Sequence, residues 1–206
     1  MKRKKKITIL AACILCGLIL SPPGAQATLI TIQIEAVVDS VDDPFGYLEG
    51  NITPGDIITG FYTYDSSVTR LPGERYQFDS APCGVFLSVG GFDFQTDQSS
   101  VDFEMGIGNN LSWGDTYYFI SFNNLPLSNG VVVDIISWQL DDPTGSALSS
   151  DALPTTAPIL DNWQTNILAF GADRRYGIFA HVTSAVPEPV TIMLVGIGTV
   201  FLRKRL

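Results

Sequence analysis

The sequence predicts an all-β fold, an antiparallel β-sandwich of jelly-roll type with about nine or ten strands, flanked by a leader and a membrane-directed tail. Three observations predict it. Apolar and polar residues alternate at period two in successive stretches, the pattern of half-buried strands. Turn signals built on Gly, Pro, Asn and Asp recur about every eight to twelve residues. Between the two ends no window carries an apolar stripe at helical period.

The chain starts with a basic cluster, Lys2-Arg3-Lys4-Lys5-Lys6, then an apolar run from Ile7 to Leu20, then the small residues Ala25-Gln26-Ala27. This order is that of a secretory signal peptide, so residues 1–27 are expected to be removed by signal peptidase. A permanent anchor would want roughly 18 apolar residues, and Pro22-Pro23-Gly24 interrupts a helix before the cut. Leu10-Ala11-Ala12-Cys13 also fits a lipoprotein box, although the apolar run continues past Cys13 to Leu20.

Residues 28–184 are expected to form the β domain. In Leu29 to Val38 the residues Ile30, Ile32, Ile34, Ala36 and Val38 share one face, and Thr31, Gln33 and Glu35 share the other. Asp42-Asp43-Pro44 and Thr53-Pro54-Gly55-Asp56 are turns, the second with Pro and Gly placed for type II. Asp56 to Tyr64 is rich in β-branched and aromatic residues and predicts the next strand. Leu71-Pro72-Gly73-Glu74 turns the chain into Arg75 to Phe78. Val85 to Val89 and Phe92 to Thr96 flank Gly90-Gly91, a hairpin loop able to take positive φ at both positions. Val101 to Ile107, Asp115 to Phe122 and Val131 to Leu140 follow, separated by Asn109-Asn110 and by Asn123 to Gly130. Asp141 to Asn162 is polar and Pro-rich, with one helical turn expected around Asp161-Asn162-Trp163. Asn166 to Phe170 and Tyr176 to Ser184 form a last hairpin across Gly171-Ala172-Asp173-Arg174-Arg175.

Charge divides the chain. Residues 28–186 hold four arginines (Arg70, Arg75, Arg174, Arg175), no lysine and twenty carboxylates, a net of −16. Such a surface repels phosphate backbones, which excludes nucleic acid as a partner. It suits an exported soluble domain and is compatible with a divalent cation or a basic partner. Cys83 is the sole cysteine outside the leader, either a small buried hydrophobe or a thiol that pairs between molecules. Pro82-Cys83-Gly84 leads into an apolar strand, which favours burial.

No catalytic constellation is legible. His181 is the one histidine, on a strand whose Ile178, Ala180 and Val182 should face the core, so it should face outward. One imidazole without a thiol partner does not build a zinc site of the usual kinds. Asp102 and Glu104 share a strand face at about 7 Å, within the range glycosidase carboxylates use, but such pairs are usually the wet face of a sheet. No cofactor is expected, calcium being the one cation that the acidic turns Asp39 to Asp43 and Asp141 to Gly145 could take. Neither turn has the spacing of a calcium loop. Among the aromatic residues Trp138 is expected in the core, and Trp113 and Trp163 are the candidates for an exposed glycan-stacking surface.

The tail, residues 185–206, combines Val186-Pro187-Glu188-Pro189, the apolar run Val190 to Leu202 and the basic stop Arg203-Lys204-Arg205. It resembles a PEP-CTERM sorting signal, the C-terminal tag of exported proteins processed by exosortases in Gram-negative, exopolysaccharide-making bacteria. Arg-Lys-Arg departs mildly from the all-arginine ending of that family. The stretch from Pro54-Gly55-Asp56 to Gly60-Phe61-Tyr62-Thr63-Tyr64-Asp65 also resembles other members, without an assigned chemistry. The resemblance implies an exosortase as partner, with Pro187, Glu188 and Pro189 as the recognised region. It also implies transient residence in the inner membrane and delivery to the envelope or extracellular matrix, in contact with polysaccharide. Physically, Val190 to Leu202 makes about 20 Å of helix against a hydrocarbon core of about 30 Å. It spans only with local thinning, its basic end cytoplasmic. A plain anchor that is never cut is the competing account. The function expected is that of a non-enzymatic envelope or matrix protein; the alternative is a glycan-binding module, and a glycoside-active enzyme ranks third.

Overall fold

A computed structural model describes residues 29–188. The leader, Pro189, the apolar run Val190 to Leu202 and the basic stop lie outside the described residues. The described chain is all-β and antiparallel. Its ten strands are β1 (Leu29–Asp42), β2 (Ile57–Asp65), β3 (Arg75–Phe78), β4 (Gly84–Val89), β5 (Phe92–Gln95), β6 (Phe103–Leu111), β7 (Gly114–Ser121), β8 (Ile135–Asp142), β9 (Thr165–Ala172) and β10 (Tyr176–Pro187). Among these residues no helix is long and apolar enough to cross a membrane.

The expected pair of sheets is replaced by one. A single ladder runs β3-β6-β7-β8-β9-β10-β1-β2-β4-β5 and curls over until its two halves face each other. Inward residues of the two halves then meet. The Tyr62 ring on β2 lies 4.9 Å from Phe119 on β7, and Phe94 on β5 lies 4.6 Å from Phe170 on β9. The hydroxyls of Tyr62 and Tyr117 are 2.7 Å apart in the fully buried centre. Covering both halves with one continuous ladder leaves fewer unpaired backbone groups than two separate sheets would. The β5 edge is covered as well, because the Asp97 amide donates to the Asn123 carbonyl and the Leu125 amide to that of Gln95.

Period two places the side chains as expected. Ile32, Ile34, Ala36 and Val38 are buried and Gln33 and Glu35 are exposed. Arg75–Phe78 is the strand predicted, Gly55 has the positive φ of a type II turn (95°), and Gly90 and Gly91 (59° and 82°) close the β4–β5 hairpin. The 3-10 turn at Leu160–Asn162 sits one residue before the helical turn expected.

Several boundaries differ from expectation: β1 runs four residues past Val38 to Asp42, and four other differences have a local reason. Asn109-Asn110 is not a turn: β6 continues to Leu111 with an irregularity after Gly108, and Ser112-Trp113 turn the chain. Asn110 has φ 55°, so the left-handed conformation that suits asparagine to turns serves a bulge here. Val131 to Val133 precede β8 as loop, because the Leu127 amide bonds the Val131 carbonyl within a local turn. The β9–β10 loop shrinks to residues 173–175, with Arg174 at φ 57°. Finally β10 extends beyond Ser184 through Pro187, paired with β1 as Ile34↔Ala185, Gln33↔Val186 and Ile32↔Pro187. The expected domain boundary at residue 184 therefore falls inside a strand.

The long polar segment between β8 and β9 packs on the sheet. Tyr64 and Tyr76 donate their hydroxyls to the Pro154 and Asp151 carbonyls, both at 2.7 Å, and Arg70 reaches Asp151 at 3.1 Å. Leu153 and Trp163 are buried beneath it.

Candidate functional site

The tryptophans are the first test of the expected glycan surface. Trp138 is completely buried, as expected of a β8 core residue, with its indole N–H donating to Asn166 Oδ1 at 2.9 Å. Trp163 is buried too, 9 % exposed, with its ring 6.4 Å from that of Tyr117. It is therefore not a stacking surface. Its place in a polar loop suggested exposure, but the loop folds back over the open end of the core. Trp113 is the opposite case: it stands at the tip of the β6–β7 turn, 64 % exposed.

Trp113 borders an open cleft of about 680 Å³ on the outer face of β6 to β9. The cleft exists because β6 presents Gly106 and Gly108 to that face. A Cβ on Gly106 would run into the Tyr118 ring, so the ring of Tyr118 lies down over the β6 backbone. Its hydroxyl donates to Glu104 Oε1 at 2.9 Å, and Glu104 Oε2 accepts from Arg75 Nη1 at 3.0 Å. Burial, with the Glu104 carboxylate next to it, pushes the Tyr118 phenol well above its usual pKa. Tyr118 is thus a fixed, neutral aromatic floor. Beside it Asp141 accepts from the Thr116 hydroxyl (2.9 Å) and from the Gln139 amide (2.8 Å), which holds a polar strip along β7 and β8.

The carboxylates considered for chemistry are occupied by structure. Glu104 is buried between Arg75 and Tyr118, and Asp102 accepts from Gln77 Nε2 at 3.0 Å. Asp43 accepts from the Tyr47 and Leu48 amides, both 2.8 Å. Asp142 accepts from the Thr144 hydroxyl and amide, the Ser146 hydroxyl and amide, and the Ala147 amide. The Thr144 hydroxyl leads the bonds that hold the Asp142 carboxyl far below the usual carboxylate range. These are turn-forming carboxylates whose oxygens serve their own backbone. Among the described residues no group of three or more His, Cys, Asp and Glu side chains is placed to hold a metal ion.

His181 faces outward as expected, with Nδ1 2.7 Å from Asp39 Oδ1 on the neighbouring strand. Cys83 is buried, and burial pushes its thiol pKa up. Of the sorting residues, Val186 and Pro187 close β10, and the Glu188 amide donates to the Thr31 carbonyl at 2.9 Å. The Glu104–Tyr118–Arg75 cluster was not anticipated from the sequence. Its one local sign is the Gly-x-Gly of β6, whose meaning depends on which residue lies opposite. No family model, no curated protein and no solved structure matches this chain.

Proposed function

We propose that this chain is an exported, non-catalytic envelope or extracellular-matrix protein, held briefly at the inner membrane by its tail and released by an exosortase at the Val186-Pro187-Glu188-Pro189 segment. The observation that carries this reading is the tail sequence, Val186-Pro187-Glu188-Pro189 followed by the apolar run Val190 to Leu202 and the basic stop Arg203-Lys204-Arg205, together with the leader at the other end. β1 and β10 are antiparallel neighbours, and Thr31 is bonded to Glu188, so the first and last described residues lie at one pole of the sheet. Adjacent ends suit a domain whose leader is cut first and whose tail then holds it at the same membrane, although close termini are common in domains generally. The net acidity of the domain adds to the reading, since it disfavours adhesion to anionic headgroups once the tail is cut.

Intact-mass measurement of the protein recovered from its host, with and without the exosortase, tests the proposal. A C-terminus shortened near Glu188 only in the presence of the enzyme is expected. The same C-terminus in both strains would refute processing.

A second reading, glycan binding, is favoured by one specific observation: Trp113 is widely exposed beside a cleft with a fixed aromatic floor. The two readings are compatible, because a matrix protein needs something in the matrix to hold.

A further inference from the structure

We propose that the outer-face cleft of β6 to β9 is a binding site for a neutral polysaccharide chain, with Trp113 as its stacking wall and Tyr118 as its floor. The inference rests on the glycan reading above and specifies the site and the class of ligand. Sugar rings present C–H groups on their faces and hydroxyls around their rims, so a site for them needs an aromatic surface flanked by hydrogen-bonding groups. Both are present. Trp113 is the exposed ring, Tyr118 is the fixed one, and the Thr116–Asp141–Gln139 strip runs beside them.

Shape selects a chain over a single sugar. The cleft runs across the strands, from the Gly73-Glu74 turn over β6, β7 and β8 to Gln164 and Thr165 at the start of β9. That is four strand spacings, about 19 Å. It is a groove on an open sheet face, not an enclosed cavity.

Charge selects a neutral chain over an acidic one. Glu74 and Asp141 line the cleft and Glu104 lies under the Tyr118 hydroxyl, while the cations beside it are already engaged, Arg70 with Glu74 at 3.8 Å and Arg75 with Glu104 at 3.0 Å. A uronate or sulfate group would meet the Asp141 carboxylate, which has no ion-pair partner among the described residues, and would find no unengaged cation among the described lining residues. A neutral sugar instead finds carboxylates that accept from its hydroxyls. The floor is also arranged in advance: the bond to Glu104 and the contact with Gly106 hold Tyr118, so little side-chain freedom is lost on binding.

Affinity electrophoresis of the full chain in a sugar-free detergent tests the proposal, with gels containing hydroxyethylcellulose, xyloglucan or dextran as neutral probes and alginate as the acidic one. Retardation is expected in at least one neutral gel and absent in alginate. Trp113→Ala and Gln139→Ala should each weaken the retardation at least tenfold with an unchanged melting temperature; should either variant melt lower, the other decides. Retardation in a neutral gel that survives both substitutions, or retardation in alginate, would overturn the cleft and its ligand class while leaving glycan binding standing. No retardation in any gel would remove the glycan reading together with the cleft.

Discussion

Adjacent residues on β7 and β8 have opposite fates. Tyr117 and Tyr118 are neighbours of one chemical type, yet Tyr117 is sealed in the core against Tyr62 while Tyr118 paves the outer cleft under the control of Glu104. Asp142 and Asp141 repeat the contrast on the next strand. Asp142 turns inward and is consumed by the Thr144–Ala147 turn, and Asp141 turns outward to order Thr116 and Gln139. Period two is the cause, since each step along a strand exchanges core for solvent. The inner member of each pair contributes to holding the fold, and the outer member shapes a surface.

Substitutions on the two faces should separate these roles. The largest effect is expected at Trp138→Ala, which empties a fully buried indole site at the meeting point of Tyr62, Tyr117 and Phe119. A loss of about 3–5 kcal/mol is expected from chemical denaturation. Tyr117→Phe should cost about 1–3 kcal/mol, because it strands the Tyr62 hydroxyl in a dry interior. The double variant Tyr62→Phe/Tyr117→Phe should recover most of that loss, and a double variant no more stable than the single one would contradict this account.

On the outer face Gly106→Ala should cost about 1–3 kcal/mol by forcing Tyr118 off the β6 backbone. Combining it with Tyr118→Ala should restore part of the stability, measurable as a rise in melting temperature over Gly106→Ala alone.

The smallest effect concerns acid. The unfolded Asp142 carboxyl titrates near 3.8 and the folded one lower, so its contribution is complete above that value and is lost as pH falls below it. The melting temperature of the wild type should therefore decline below about pH 4, and Asp142→Asn, less stable at neutral pH, should decline less steeply there. An equal slope in both would assign the acid response to other carboxylates.

Much of the architecture was legible because its signals are local. The alternation in Leu29–Val38, the Gly90-Gly91 loop and the Pro54-Gly55 turn each state their structure within a few residues. Signals that are local but ambiguous misled. Asn109-Asn110 has the backbone preference of a turn, which a bulge satisfies equally well, and Val131 to Val133 have strand propensity with no strand to join. The candidate site was half legible: Trp113 stood out as an aromatic beside polar residues, whereas Trp163 in an equally polar segment is covered by its own loop.

By itself the sequence determined the existence of the strands, which side of most of them is apolar and most of the points where the chain reverses, because side-chain alternation and turn chemistry act over a few bonds. Only the tertiary structure decided that β10 joins β1, that β3 pairs with β6 and that one ladder curls into a closed core. It also decided that Gly106 lies opposite Tyr118, and with it the cleft floor. Register between strands distant in sequence is set by the packing of whole faces, and no short stretch of chain contains that information.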